Sequence, residues 1–291
     1  MNMKYAGVGL VMLAAVFWGI TGGIADILMS RGWDPIVISL YRGIIGFICF
    51  FTWVLFRFKD NWVRSTSFYI WALLAGVGVA GNFTFYFVSI QASSIAVAVT
   101  LMYTAPIFVL LISFILGMER STWLKWGSIA GVLIGIILLT GAYNMGSLTV
   151  NAVGVAAGLA AGLSYALFIF GFKNASSLGK PQATLTIAFL AFCIILFIFA
   201  DLDEAAAVLT SNDTGWFLLL GIVGAGISFI LYVIGIRLTT PAKASMVAMV
   251  EPVTASLFGV LLLGDHLTFV QLLGMALILV TVTVVSVKTS N

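Results

Sequence analysis

Charge is what this chain has least of. Only 8% of its 291 residues are Asp, Glu, Lys or Arg, against roughly 25% in a soluble domain. There is one histidine, His266, and there are two cysteines, Cys49 and Cys193, each inside an apolar run. A lone imidazole without a CxxC leaves zinc, haem, dithiol and Ser–His–Asp chemistry short of parts, so no metal, cofactor or enzyme activity is expected. A phosphate-binding loop is missing too. Gly179–Lys180 has Asn174 where such a loop needs glycine, and Pro181 where it needs Ser or Thr. No selectivity-filter sequence or ring of charges argues for a channel.

Apolar residues fill the space. The chain is 62% hydrophobic with a mean hydropathy of +1.20. A membrane-crossing helix needs about 20 mainly apolar residues, and ten such stretches occur, at about 6–29, 36–56, 68–90, 94–117, 123–142, 152–172, 183–200, 215–236, 242–263 and 268–287. The first is too long for a signal-peptide core and has no small-residue cleavage site after it, so it reads as a span. The two cysteines read as packing residues.

The net charge of +3 matters less than its distribution. With the N-terminus in the cytoplasm, the inner side receives Lys4, Arg57, Lys59, Arg64, Arg120, Lys125, Lys173, Lys180, Arg237, Lys243 and Lys288. The outer side keeps Arg31 and the acidic Asp201, Asp203, Glu204 and Asp213. That bias predicts a multi-pass plasma-membrane protein with both termini cytoplasmic. The basic residues orient the chain against membrane lipids, and no nucleic-acid partner is expected.

Shifted by 146 residues, the chain aligns with itself without a gap: Pro35 falls on Pro181, Gly78 on Gly224, Tyr86 on Tyr232, Pro106 on Pro252 and Thr122 on Thr268. Two units follow, 1–145 and 146–291, of five spans each. An odd number makes the second unit enter from the opposite side. The basic loop around Arg57 and Arg64 indeed has an acidic counterpart at Asp201–Asp213. The expected fold is all-α, with ten transmembrane helices arranged as two inverted five-helix repeats, the architecture of transporters that rock one half against the other.

The run AAVFWGITGGIADIL (Ala14–Leu28), Arg42 in DPIVISLYRG, APIFVLLISFILGMER ending at Glu119–Arg120, and KASMVAMVEPVTASLFGVLLLGD (Lys243–Asp265) resemble the EamA family of the drug/metabolite transporter superfamily. The resemblance covers nearly the whole chain. It implies a ten-span secondary transporter with a central cavity lined mainly by helices 1, 3, 4, 6, 8 and 9, in a family whose members often export amino acids.

Counting about 1.5 Å per helical residue, Trp18, Tyr103, Pro106, Tyr165 and Glu251–Pro252 fall near the bilayer centre, where inverted-repeat transporters hold substrate. Glu251 is the foremost candidate, because an ionisable group there costs at least about 2.5 kcal/mol and its repeat counterpart is only Ala105. It reads as a substrate-ammonium partner or a proton-coupling site; the alternative is a packing carboxylate bonded to backbone freed by Pro252. Pro106 and Pro252 each remove a mid-helix hydrogen bond and read as hinges or as static kinks. Arg42 reads as an ion-pair partner of Asp26 or as a clamp on a substrate carboxylate. Trp18 is suited to stacking a ligand or binding an ammonium by cation–π attraction.

Tyr86 and Tyr232 fall at opposite mouths, as gates or as members of interfacial aromatic belts. Asn82, Gln91, Ser164 and Ser228 offer hydrogen bonds to a ligand or between helices. Glycines four apart, at Gly127, Gly131 and Gly135 and at Gly154, Gly158 and Gly162, read as close-packing strips; a homodimer through them is the other reading.

The expected activity is export of a small neutral or zwitterionic metabolite, foremost an amino acid. The alternative is import of a small cationic amine held by Trp18, Tyr103 and Glu251. A non-transporting scaffold would need no polar set at the midplane.

Overall fold

In the computed structural model, residues 3–56, 63–144 and 151–288 are described. Arg57, Lys59 and the 145/146 boundary between the expected units lie outside the described residues, as do the side chains of Lys4 and Lys288.

All ten apolar stretches are helices long enough to cross a membrane: α1 (Tyr5–Ser30), α2 (Pro35–Phe56), α3 (Thr66–Ala92), α4 (Ile95–Ile115), α5 (Trp123–Thr140), α6 (Ala152–Leu178), α7 (Pro181–Phe199), α8 (Thr214–Arg237), α9 (Pro241–Leu263) and α10 (Phe269–Val287). A short surface helix, Leu202–Val208, joins α7 to α8. No strand occurs among the described residues. The starts are chemically marked: Thr122 caps α5, Asn151 caps α6 and Thr240 caps α9, while Pro181 and Pro241 occupy first-turn positions whose N–H has no intrahelical partner.

The largest departure from the sequence expectation is at the end of α6. The apolar run stops before Lys173, yet the helix continues to Leu178. Lys173 Nζ donates to the carbonyls of Ile236, Arg237 and Thr239 at 3.0, 3.2 and 2.6 Å, so the cation is satisfied by the exposed end of α8 and need not break the helix.

Two spans are broken. In α4 the helix is interrupted at Tyr103–Thr104, and in α9 at Ala248–Met249. The backbone tightens to three-residue hydrogen bonds there, Thr104 N–H to Leu101 O at 3.1 Å and Glu251 N–H to Ala248 O at 2.9 Å. Pro106 and Pro252 supply the cause, since neither has an N–H to give the carbonyl four residues back. The breaks fall at matching places: adding 146 to Tyr103–Thr104 gives Met249–Val250.

Packing follows the same arithmetic. α3 packs on α6, as α8 packs on α1; α4 packs on α6, as α9 packs on α1; α3 packs on α7, as α8 packs on α2. The pairs α2–α7, α5–α10 and α4–α9 are in contact and map onto themselves. The glycine strips serve these contacts. A Cβ at Gly135 would meet Gly274 O of α10 at 3.0 Å, and one at Gly162 would meet Leu101 O of α4 at 3.0 Å.

The bundle has a terminal end, where α1 begins and α10 ends, and a distal end, which carries the 30–35 turn. Described basic side chains gather at the terminal end, with Arg64, Arg120, Lys125, Lys180 and Arg237 beside the helix ends. At the distal end Asp213 pairs with Arg31 and accepts from Trp33 Nε1 at 2.9 Å. The Trp33 bond, aided by Arg31, holds the Asp213 carboxyl below the usual carboxylate range. Glu204 accepts from Asp34 N–H at 2.6 Å, and the Tyr41 hydroxyl donates to Ala205 O at 2.6 Å.

Candidate functional site

A cavity of about 450 Å³ lies among α1, α2, α3, α4, α5, α6 and α9. Its wall runs from Trp18, Tyr165 and Glu251 at mid-bundle to Met29, Pro35 and Ile95 at the distal end. The cavity is not fully enclosed, and Ile95 on its distal wall is 62% exposed.

Toward the terminal end the cavity stops on aromatic rings. Trp18 packs against Phe229 and Tyr232 with centroids 5.0 Å apart in each pair, and Tyr165 against Phe168 at 4.4 Å. These rings are buried, as is Phe172 behind them. Further on, Glu119 Oε1 accepts from Ala242 N–H at 3.1 Å and its Oε2 from Lys125 Nζ at 2.7 Å, joining the end of α4 to the starts of α9 and α5. The terminal end is therefore sealed by packing and by polar ties.

Glu251 sits on the first turn after the α9 break and is half-buried. Tyr103, at the α4 break, lines the same cavity as Glu251, whose Oε2 has no partner. The proline-induced interruptions thus place the two residues on one cavity wall. α1 approaches closely because Gly19 is small: a Cβ there would lie 2.5 Å from Glu251 O.

Arg42, buried on α2, also lines the cavity. Its Nη2 donates to Thr21 Oγ1 at 2.6 Å, and its guanidinium carbon lies 5.4 Å from the Phe83 ring centroid. Among the described residues it forms no ion pair with Asp26, which lines the same cavity. The expected Arg42–Asp26 pair is corrected accordingly: α2 is rotated so that Arg42 faces α1 and α3, and Thr21 takes the contact. Arg42 and Glu251 share both this cavity and an adjoining recess of about 40 Å³.

Of the residues singled out in the sequence, Trp18, Asn82, Tyr86, Tyr103, Tyr165 and Glu251 line the cavity. Asn82 spends its amide on Ala161 O at 3.0 Å, which ties α3 to α6. Ser228 and Tyr232 do not line it. The Ser228 hydroxyl donates to Gly224 O at 2.7 Å, and Tyr232 is fully buried behind Trp18. Pro252 is on the wall; Pro106 is buried in the helix behind it. Phe83, which faces Arg42, is not among the sequence candidates. The repeat offers a signal for it, because Phe83 falls on Phe229 under the same shift of 146. Among the described residues no group of three or more His, Cys, Asp or Glu is placed to hold a metal.

This architecture has known counterparts. The model of the EamA-like transporter family matches residues 5–141 and, a second time, residues 152–287. An uncharacterized transporter of Bacillus subtilis strain 168, YwfM, is 26% identical over 280 residues, which is 95% of this chain and 92% of that protein. The threonine/homoserine exporter RhtA of Escherichia coli K12 is 26% identical over 278 residues, 93% of this chain and 88% of its own. A solved crystal structure superposes with a TM-score of 0.75 at 18% identity, covering 98% of this chain and 99% of the other.

Proposed function

This chain belongs to the EamA-like transporter family, and we propose that it is a secondary transporter that exports a small amino acid or similar zwitterion across the plasma membrane by alternating access. The observation that carries the reading is the cavity's chemistry: aromatic and apolar walls around Glu251, whose Oε2 lacks a partner. Aromatic faces and a carboxylate are complementary to an ammonium group, and a membrane-depth carboxylate is costly unless used. The resemblance to a threonine/homoserine exporter supports the substrate class.

The helix-exchange pattern supports two units of opposed orientation, 1–145 and 146–291. The packed pairs α3–α6, α4–α6 and α3–α7 become the packed pairs α8–α1, α9–α1 and α8–α2 when each span is exchanged with the one five places away. The matching breaks before Pro106 and Pro252 then serve as hinges. With both termini in the cytoplasm, the arrangement the charge distribution favours, the cavity faces outward. Glu251 takes a proton when the substrate ammonium leaves and gives it up when the next one binds, which couples cargo to the proton gradient.

The test is counterflow in proteoliposomes. Vesicles preloaded with unlabelled L-threonine should accumulate labelled L-threonine above empty-membrane controls. Equal uptake in both would remove the amino-acid reading.

A further inference from the structure

We infer that Arg42 forms a carboxylate-binding subsite in the cavity, so that the cargo is an α-amino acid held at both ends, its carboxylate on Arg42 and its ammonium on Glu251. The inference deepens the export reading above and rests on it for the identity of the cargo.

A guanidinium is expensive to bury in a membrane protein unless an anion or ordered acceptors accompany it. Arg42 is 9% exposed, and among the described residues no carboxylate lies within ion-pair distance of it. Thr21 supplies one acceptor. The Thr21 hydroxyl is itself committed as a donor to Phe17 O at 2.9 Å, so it meets Arg42 only as an acceptor and fixes the fork in place. Arg42 Nε has no acceptor at all. A fork with one nitrogen anchored and another unsatisfied is set up for a bidentate carboxylate.

The surroundings are shaped for that fork. The Phe83 ring lies against the guanidinium on one side. On another, Gly224 leaves room: a Cβ there would come 2.9 Å from Arg42 Nη2 and 2.7 Å from Thr21 Oγ1. Glu251 lines the same cavity and recess without pairing with Arg42. Two opposite charges held apart on one wall match a zwitterion, which neutralises both at once. Val99, Met102 and Leu139 leave an apolar surface for an uncharged side chain.

The test compares L-threonine with 1-amino-2-propanol, the same molecule without its carboxylate, as competitors of labelled L-threonine counterflow. Wild type should prefer the amino acid strongly. Arg42→Gln should weaken the amino acid about tenfold or more, the effect of losing a charge-assisted bidentate contact, and leave the amine unchanged. Arg42→Lys, which keeps the charge and loses the fork, should fall between. Equal weakening of both competitors, or of neither, would overturn the subsite. If wild type does not carry L-threonine, the export reading fails by itself, and propionate is the probe. It should raise the thermal midpoint of the purified wild type and not that of Arg42→Gln. No protection of wild type, or equal protection of both, would overturn the subsite.

Discussion

Tyr86 and Tyr232 occupy the same place in the two halves of the chain, 146 residues apart, yet Tyr86 lines the open cavity and Tyr232 is fully buried against Trp18. Asn82 and Ser228 differ in the same way, one on the cavity wall and the other with no exposure. Equivalent residues thus meet opposite environments at the two ends of the bundle. An exchange of those environments is what alternating access requires.

In a background with Cys49 and Cys193 replaced by Ala, Tyr86→Cys should react with a membrane-impermeant maleimide added at the distal face, and Tyr232→Cys should be protected. Glu119→Gln removes the carboxylate that ties Ala242 and Lys125. Added to the Tyr232→Cys variant, it should raise the reactivity of the introduced thiol toward a maleimide supplied at the terminal face. Unchanged protection would show that the aromatic packing alone seals that end.

The ten spans are readable because nearly uniform hydrophobicity over 18 or more residues is rare outside membrane-crossing helices. Rotation about each helix axis is not readable, for the same reason. A helix that is apolar all round advertises no face. The pairing of Arg42 with Asp26 follows from their shared depth, and depth does not say which way α2 turns. The Lys173 extension leaves no trace in the sequence because its acceptors are carbonyls at the end of α8, which carry no residue signature. Glu251, Trp18 and Tyr103 are legible because an ionisable or large amphipathic side chain at mid-membrane depth stands out against an apolar background.

Gly19 lets α1 lie directly on the Glu251 turn. Gly19→Val should destabilise the protein by about 1–3 kcal/mol through overpacking, seen as a lower thermal midpoint in detergent. Gly22→Ala is the control, since a Cβ there meets nothing within 4 Å. It should leave the midpoint nearly unchanged.

Pro106→Ala and Pro252→Ala each restore a backbone donor at a helix break. If the breaks are hinges, both variants should keep the wild-type melting midpoint and lose most counterflow. Full transport by both would make the breaks static.

The Asp213 carboxyl is held below its usual range by Trp33 and Arg31. A carboxylate lowered in the folded state contributes stability above its unfolded value of about 3.9, lost as pH falls through the folded one. The thermal midpoint of Asp213→Asn should therefore lie slightly below wild type by a constant amount from pH 5 to 8. The gap should close only in stronger acid. A gap that instead opens on acidification would contradict the Trp33–Asp213–Arg31 tie.

The central claim is that Glu251 carries the cargo's ammonium and the coupling proton in turn. It is tested most directly by L-threonine uptake into proteoliposomes with and without an imposed pH gradient, for wild type and Glu251→Gln. The account predicts that the gradient stimulates wild type, and that Glu251→Gln loses both the stimulation and most of the gradient-free exchange. A Glu251→Gln protein that transports at the wild-type rate with an unaltered response to the gradient would contradict it.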